Sequence, residues 1–468
     1  MIRLRIDELY LMNPWWRSPE EIYADRNIRS FEKSTFRYYP EKFFREIPED
    51  KPGIYTIRGP RQIGKTTFLK LYIKRLIEDG VKPSNIFFFT CDGIKDRFDL
   101  IETVRVYFQM FERKQGEIRY IFIDEITTIE DWQKSLKYLV DIGLLDDCLV
   151  VLTGSSAYDL KRSSERLPGR KGHGKDLVYI PITFGEFLRS SGIEVERKTI
   201  EEILESTIDD LNRLYLRNAF LKEHFMKYLN TGGFPKVIDD FLRKGRITDT
   251  TKNVYKDFIL GDAEKYIRAR TNLLEIFRKL PDIVGQRFSW NSLVDVFTGT
   301  VESVDTIQKY FEYLGYSFIL MNVFFIDISR KTIRPKKQKK TYPIDKVIAD
   351  IISDISGKTI KLPQLIEMFT LRHLLKGSDV IHHGMNLYDG PFFWYSERGN
   401  EIDFIYNHEG TLIPVGVKYQ NRINKSDYLG MKRVFGRGIL ITQDAIFRDE
   451  NIVAIPAWLF FVVFEGNE

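Results

Sequence analysis

Cysteine is nearly missing from this chain: Cys91 and Cys148 are the only two in 468 residues. Two thiols so far apart build neither a disulfide framework nor a zinc site, so the fold must rest on packed cores and a reducing compartment is expected. Long apolar runs are missing as well. The longest, Ala454 to Phe464, is too short to cross a bilayer and is interrupted by Pro456, so no membrane segment is expected. The opening Met1-Ile2-Arg3-Leu4-Arg5-Ile6-Asp7 lacks the apolar core of a secretory leader, and with the cysteine count this sets the expectation of a cytoplasmic protein. There is no fixed-period repeat and no long low-complexity tract. Nor is charge of one sign dominant: the net is +5, compatible with nucleic acid but no demonstration of it.

What is present is ordinary globular material, enough for about three domains. One segment carries chemistry. Residues 59 to 66 read Gly-Pro-Arg-Gln-Ile-Gly-Lys-Thr, the full G-x-x-x-x-G-K-[ST] pattern. Glycine lets successive backbone N–H groups turn toward a phosphate, and a following helix adds the positive end of its dipole. Gly59, Pro60, Arg61, Gln62, Ile63, Gly64, Lys65, Thr66 and Thr67 are therefore expected to cradle ATP or ADP. Lys65 reaches the β- and γ-phosphates, and the Thr66 hydroxyl serves Mg²⁺. The surroundings fit: Ile54 to Ile57 reads as a strand, and Phe68, Leu69, Tyr72, Leu76 and Ile77 recur at helical spacing.

Residues 53 to 180 alternate strand and helix, with strands expected at 53–58, 85–90, 120–123, 149–153 and 177–180. Continuous apolar runs of this kind belong to a parallel sheet covered on both faces, with ligands at the carboxyl ends of its strands. The third strand ends in Asp124-Glu125. Asp124 is expected to hold Mg²⁺ through water, and Glu125 to polarise the water that attacks the γ-phosphate. The fourth ends Thr153-Gly154-Ser155-Ser156. Ser155 there either senses the γ-phosphate or caps the next helix. Arg162, Arg166 and Arg170 follow. Arg170 first, then Arg166, is a candidate to reach the nucleotide of a neighbouring subunit in a homo-oligomer; a solvated basic loop is the alternative.

With these residues in view the chain resembles the prokaryotic, mainly archaeal, AAA-type ATPases that carry a helical lid, a winged helix and a C-terminal restriction-endonuclease-like domain. The resemblance rests on 59–67, on Ile121-Phe122-Ile123-Asp124-Glu125, and on Thr153-Gly154-Ser155-Ser156. It rests further on Pro181-Ile182-Thr183-Phe184-Gly185-Glu186-Phe187-Leu188, Tyr228-Leu229-Asn230-Thr231-Gly232-Gly233-Phe234-Pro235 and Glu401-Ile402-Asp403-Phe404. Asn13-Pro14-Trp15-Trp16 also suits the archaeal members. It implies an α/β fold: a P-loop NTPase parallel sheet with a helical lid, followed by a winged-helix domain and a smaller α/β restriction-endonuclease-like domain. The expected limits are 1–184 for the ATPase core, 185–272 for the lid, 273–345 for the winged helix with a basic loop, and 346–468 for the last domain.

On the same grounds Gly232, Gly233 and Pro235 sit on the lid near the nucleotide; the residues alone say only that they break a helix. The winged helix would use 288–299 and 303–314 as its second and third helices, with Ser303 as N-cap and Val304, Ile307, Tyr310, Phe311 and Leu314 as the buried face. A strand-like run covers 316–328. The stretch 329–341 is expected to be a basic loop, and its Arg334, Lys336, Lys337, Lys339 and Lys340 either neutralise DNA phosphates or face solvent. In the last domain Asp403 and Lys418 match a nuclease acid and lysine, with Glu367 and Glu401 as partial substitutes for a missing ligand. The position two before Lys418 is Gly416, where that chemistry needs an acid. A retained fold without cleavage is expected.

The sequence thus points to a Mg²⁺-dependent ATPase coupled to DNA binding or remodelling, or alternatively to a nucleotide-gated switch acting through an unknown protein partner. A small-molecule kinase needs neither Glu125 nor the C-terminal half.

Overall fold

The computed structural model describes residues 6–94, 96–112, 114, 116–157, 169–264, 267, 270–297, 303–376, 384–397 and 399–464, and the chain divides into two compact units, Met1–Ile180 and Pro181–Glu468. The first unit is built on β1 (Gly53–Arg58), β2 (Ile86–Thr90), β3 (Arg119–Asp124), β4 (Cys148–Gly154) and β5 (Asp176–Val178), in the order β2-β3-β4-β1-β5. Every pairing is parallel. β1, β3 and β4 are buried along their whole length, which is why they read as largely apolar runs without alternation. Because β4 lies between β1 and β3, the loop after β1, the acids after β3 and the hydroxyls after β4 emerge side by side.

A clamp before the sheet closes its β2 edge. The Asn13 side chain donates to the Phe88 carbonyl at 2.9 Å and accepts the Phe88 N–H at 2.6 Å. Both indoles, Trp15 and Trp16, donate to the Ile86 carbonyl. A single carboxamide thus satisfies one donor and one acceptor that an edge strand leaves open. Lys70 is buried beneath, 3.4 Å from Asp25 and over the Phe88 and Trp15 rings.

The second unit begins with helices, among them Phe184–Ser190, Leu221–Thr231, Pro235–Lys244 and Asp249–Glu264. Helices Arg270–Ile283, Trp290–Val296 and Val304–Tyr316 follow. The last is capped by the Ser303 hydroxyl and buries Ile307, Phe311 and Leu314. Residues 298 and 299 of the expected second helix lie outside the described residues.

The expected strand from 316 starts later, because Tyr316 still closes the helix and β6 is Leu320–Phe324; a run apolar throughout has no period to mark the change. β7 (Ile326–Asp327) and β8 (Thr332–Ile333) form a hairpin. β9 (Lys339–Pro343) then returns antiparallel to β6, with Val323 opposite Lys340. The expected basic loop therefore ends in a buried strand. β10 (Asn386–Leu387) completes the sheet β10-β6-β9, and an isolated bridge joins Phe288 to Lys339.

A mixed sheet ends the chain. β11 (Phe392–Tyr395), β12 (Glu401–His408), β13 (Thr411–Lys418), β14 (Gly438–Thr442), β15 (Phe447–Asp449) and β16 (Ile452–Pro456) lie in the order β11-β12-β13-β14-β16-β15.

Two sequence segments singled out above meet in a buried polar network. The Gly233 N–H donates to Asp345 at 2.7 Å, and its carbonyl accepts the Ile182 N–H at 2.9 Å. Asp345 also caps the helix Lys346–Ser356 and is ion-paired with Arg372; both side chains are wholly buried. Tyr228 receives a bond from Arg372 and donates to the Ile182 carbonyl. A Cβ at Gly233 would overlap the Ile182 backbone, and one at Gly232, whose φ is +72°, would overlap the Asp345 carboxylate. The glycine pair is thus demanded by close approach.

Thr183 and Glu186 form a capping box on the helix Phe184–Ser190. The Phe184 N–H donates to Nε2 of His373, whose Nδ1 lies 2.7 Å from the Phe369 carbonyl. Burial, followed by the Arg372 charge, depresses this imidazole to about 3, so it stays neutral at ordinary pH.

Candidate functional site

The loop between β1 and the helix Lys65–Glu78 has the backbone its sequence demands. Gln62 and Gly64 take positive φ, +62° and +112°, and a Cβ at Gly59 would overlap the Tyr179 carbonyl. Ile63 is packed into the core, while Arg61 and Gln62 face outward to different degrees. The helix starts at Lys65, so its first N–H groups open onto the loop. Lys65 is buried, and its ammonium donates to the Gly59 and Pro60 carbonyls at 2.9 and 3.1 Å.

Asp124 sits at the end of β3, buried between two hydroxyls. Thr66 donates to its Oδ2 at 2.6 Å, and Thr153 donates to its Oδ1. The same Thr153 oxygen accepts the backbone N–H of Glu125 at 3.0 Å. Burial raises the Asp124 pKa, against the two hydroxyl bonds that favour its ionised form. Glu125 has a left-handed backbone, φ +51°, uncommon for a non-glycine residue. Its carboxylate lies 3.6 Å from the Lys65 ammonium. Burial pushes Glu125 up, but the Lys65 and Arg61 charges and the Ser155 hydroxyl outweigh it, so the net shift is downward and the group is held ionised.

One hydroxyl and one carboxylate, both hard oxygen donors, fit Mg²⁺, which takes few protein ligands and completes its shell with water and phosphate. Among the described residues no three His, Cys, Asp or Glu side chains are arranged to hold a metal by themselves. That suits an ion shared with a nucleotide.

Residues 51–188 match the family model described as an AAA domain. The span takes in the parallel sheet, the loop and the acid pair. Residues 51–188 are similar to AAA-type P-loop ATPase domains. Beyond this domain, 222–359 and 364–460 match two domains of unknown function, DUF8612 and DUF4143. An uncharacterized protein of Methanocaldococcus jannaschii is 26% identical over 454 residues, 92% of this chain and 89% of the relative. An uncharacterized protein of Haemophilus influenzae is 23% identical over 60% of this chain and 65% of its own length. Among solved structures, the Aeropyrum pernix ORC1 protein in complex with DNA aligns with 73% of this chain and 96% of its own, at 15% identity and a TM-score of 0.30. Cdc6p of Pyrobaculum aerophilum aligns with 79% and 95%, at 11% identity and 0.25. Scores this low carry no argument about either partner.

The other expected residues fall in different places. Ser155 is buried and bonds Glu125. Thr153, which the sequence reading passed over for Ser155, is the hydroxyl that joins the two acids; its position at the last buried step of β4 was the available signal. Arg170 pairs with Asp141 at 2.7 Å on its own chain, while Arg162 and Arg166 lie outside the described residues. Pro235 is the first residue of the helix Pro235–Lys244 in the second unit.

Lys339 and Lys340 are corrected here: as strand residues of β9 they are buried, at 0% and 1% exposure, and cannot meet a phosphate from the surface. Lys339 lies over the Trp290 ring, and burial lowers it to about 8. Arg334 pairs with Asp327 at 3.0 Å. Lys336 and Lys337 remain exposed. Beside the last sheet, burial and then the Asp403 charge raise Glu367 of the helix Leu362–Lys376, and the Lys418 charge acts on both carboxyls.

Thr153→Val leaves Asp124 with one hydroxyl partner and should cost about 1–3 kcal/mol. It should also raise, by about tenfold or more, the Mg²⁺ concentration that supports ATP binding, while Thr153→Ser restores both. Thermal melts and Mg²⁺-titrated nucleotide binding check this; a Val variant with unchanged Mg²⁺ dependence would show that Asp124 needs no such support.

Proposed function

We propose that this chain is a Mg²⁺-dependent ATPase that couples its nucleotide state to DNA. The observation that supports its ATPase part is the pairing of Thr66 and Thr153 on Asp124 beside the Lys65–Glu125 pair. The loop amides and Lys65 bind and orient the β- and γ-phosphates. Thr66 and Asp124 would hold Mg²⁺, which when bound would supply charge neutralisation on the phosphate oxygens. Glu125, kept ionised, accepts the proton of the attacking water once Lys65 turns to the phosphates. Ser155 fixes the Glu125 carboxylate, and Arg170, released from Asp141, serves a neighbouring subunit's nucleotide.

In this reading the helices after Pro181, with Pro235 at the start of one, act as the lid. The three helices 270–283, 290–296 and 304–316, with β6, β9 and the Phe288 bridge, follow a winged-helix order, and the sheet β11–β16 is the restriction-endonuclease-like domain. DNA contact falls to Lys336, Lys337 and the neighbouring exposed Arg330 and Lys331.

A second reading, a nucleotide-gated switch acting on a protein partner without nucleic acid, is favoured by the burial of Lys339 and Lys340. It is favoured too by the exposed face of the helix Val304–Tyr316, where Asp305 stands beside Lys309.

Lys65→Ala should abolish tight ATP binding, and Glu125→Gln should keep ATP bound while slowing turnover by about two orders of magnitude or more. Calorimetry and steady-state phosphate release check the pair; normal affinity in the first, or normal turnover in the second, refutes the assigned role. A salt-titrated DNA-binding assay with and without ATP separates the two readings. DNA coupling requires binding that falls steeply with salt and weakens on charge reversal of Lys336 and Lys337. Absence of binding at low salt leaves the protein switch.

A further inference from the structure

The acids at the start of β12 enclose a nitrogen. The Lys340 ammonium lies 3.2 Å from Asp403 Oδ1 and 2.5 Å from Glu401 Oε1. Asp403 spends its other oxygen on the Val417 N–H at 2.9 Å. Glu401 turns its second oxygen to Arg287 at 2.9 Å. A third acid, Glu367, accepts the Tyr342 hydroxyl at 2.7 Å, and Lys418 adds a third positive charge at the end of β13.

Gly416 lies on β13, where a side chain would crowd two neighbours. A Cβ there would meet the Met431 methyl at 3.1 Å and Leu440 at 3.3 Å.

Asp403 is buried, so its carboxylate must be neutralised by a partner, while Glu401 keeps its side chain about a third exposed at the rim. Oxygen donors of this kind ordinarily collect a divalent metal. Here the cation arrives on a side chain, and from a different sheet: Lys340 belongs to β9 and pairs in register with Val323 of β6. Burial alone would drive its proton off, yet the charges of Asp403, Glu367 and Glu401 more than reverse this and raise its pKa.

We propose that Lys340 is the built-in cation of this cluster, holding the place between Asp403 and Glu401 that a divalent metal would take. It thereby closes the last domain to metal and fastens β9 to β12. The inference stands independently of the nucleotide site, and it explains why Lys340 of a basic stretch turns inward.

Mn²⁺ binding, followed by electron paramagnetic resonance on the intact nucleotide-free protein, tests it. The wild type should show no Mn²⁺ uptake that Asp403→Asn removes. Lys340→Met should gain one such ion, at least tenfold tighter than any wild-type uptake at this cluster, and lose it again in Lys340→Met/Asp403→Asn. If Lys340→Met is unfolded, millimolar Mn²⁺ should restore its circular dichroism. The proposal is overturned by Asp403-dependent Mn²⁺ uptake in the wild type, by a folded Lys340→Met that gains no ion, or by an unfolded one that Mn²⁺ does not rescue.

Discussion

The nucleotide site depends on one buried carboxylate kept in place by two hydroxyls. Asp124 ends a fully buried strand, where an ionised group is costly unless hydrogen-bonded. Thr66 comes from the helix after β1 and Thr153 from the end of β4, and each bonds a different oxygen. The sheet order makes this possible, because β4 stands between β1 and β3. Thr153 then reaches on to the Glu125 backbone, so the two residues to which we assign the metal and the attacking water are positioned by one side chain. Lys65 completes the set by pairing with Glu125 rather than with Asp124, leaving Asp124 to the hydroxyls.

Much of this was legible in the sequence because local rules sufficed. A glycine loop between a β-branched run and an amphipathic run has few meanings, and an apolar strand ending in two acids fixes both its burial and its direction. What escaped depends on partners distant in the chain. Lys339-Lys340 reads as part of a basic stretch, and only the pairing of β9 with β6 turns both inward. Thr153 and Ser155 are near neighbours with similar hydroxyls, and sequence alone cannot say which one faces β3. Asn13 looked like a family signature; its work is to finish the hydrogen bonding of an edge strand 75 residues away.

The second unit follows the same logic with different groups. Its glycine pair at 232–233 and the Pro-Ile-Thr-Phe segment meet at a buried aspartate and arginine from much further along the chain. Such a network is expensive if half made, and it ties residues 182, 228, 233, 345 and 372 into one arrangement. The absence of an acid at 416 has a physical counterpart as well: a Cβ there would press on the ends of Met431 and Leu440, and the remaining acids close on a lysine.

Calorimetric titration of the intact protein with ATP, with and without Mg²⁺, bears most directly on the central claim. One nucleotide per chain is predicted, bound more tightly when Mg²⁺ is supplied, with that gain lost in Asp124→Asn. No adenine-nucleotide association at millimolar concentration, or association indifferent to both Mg²⁺ and Asp124, would contradict the account.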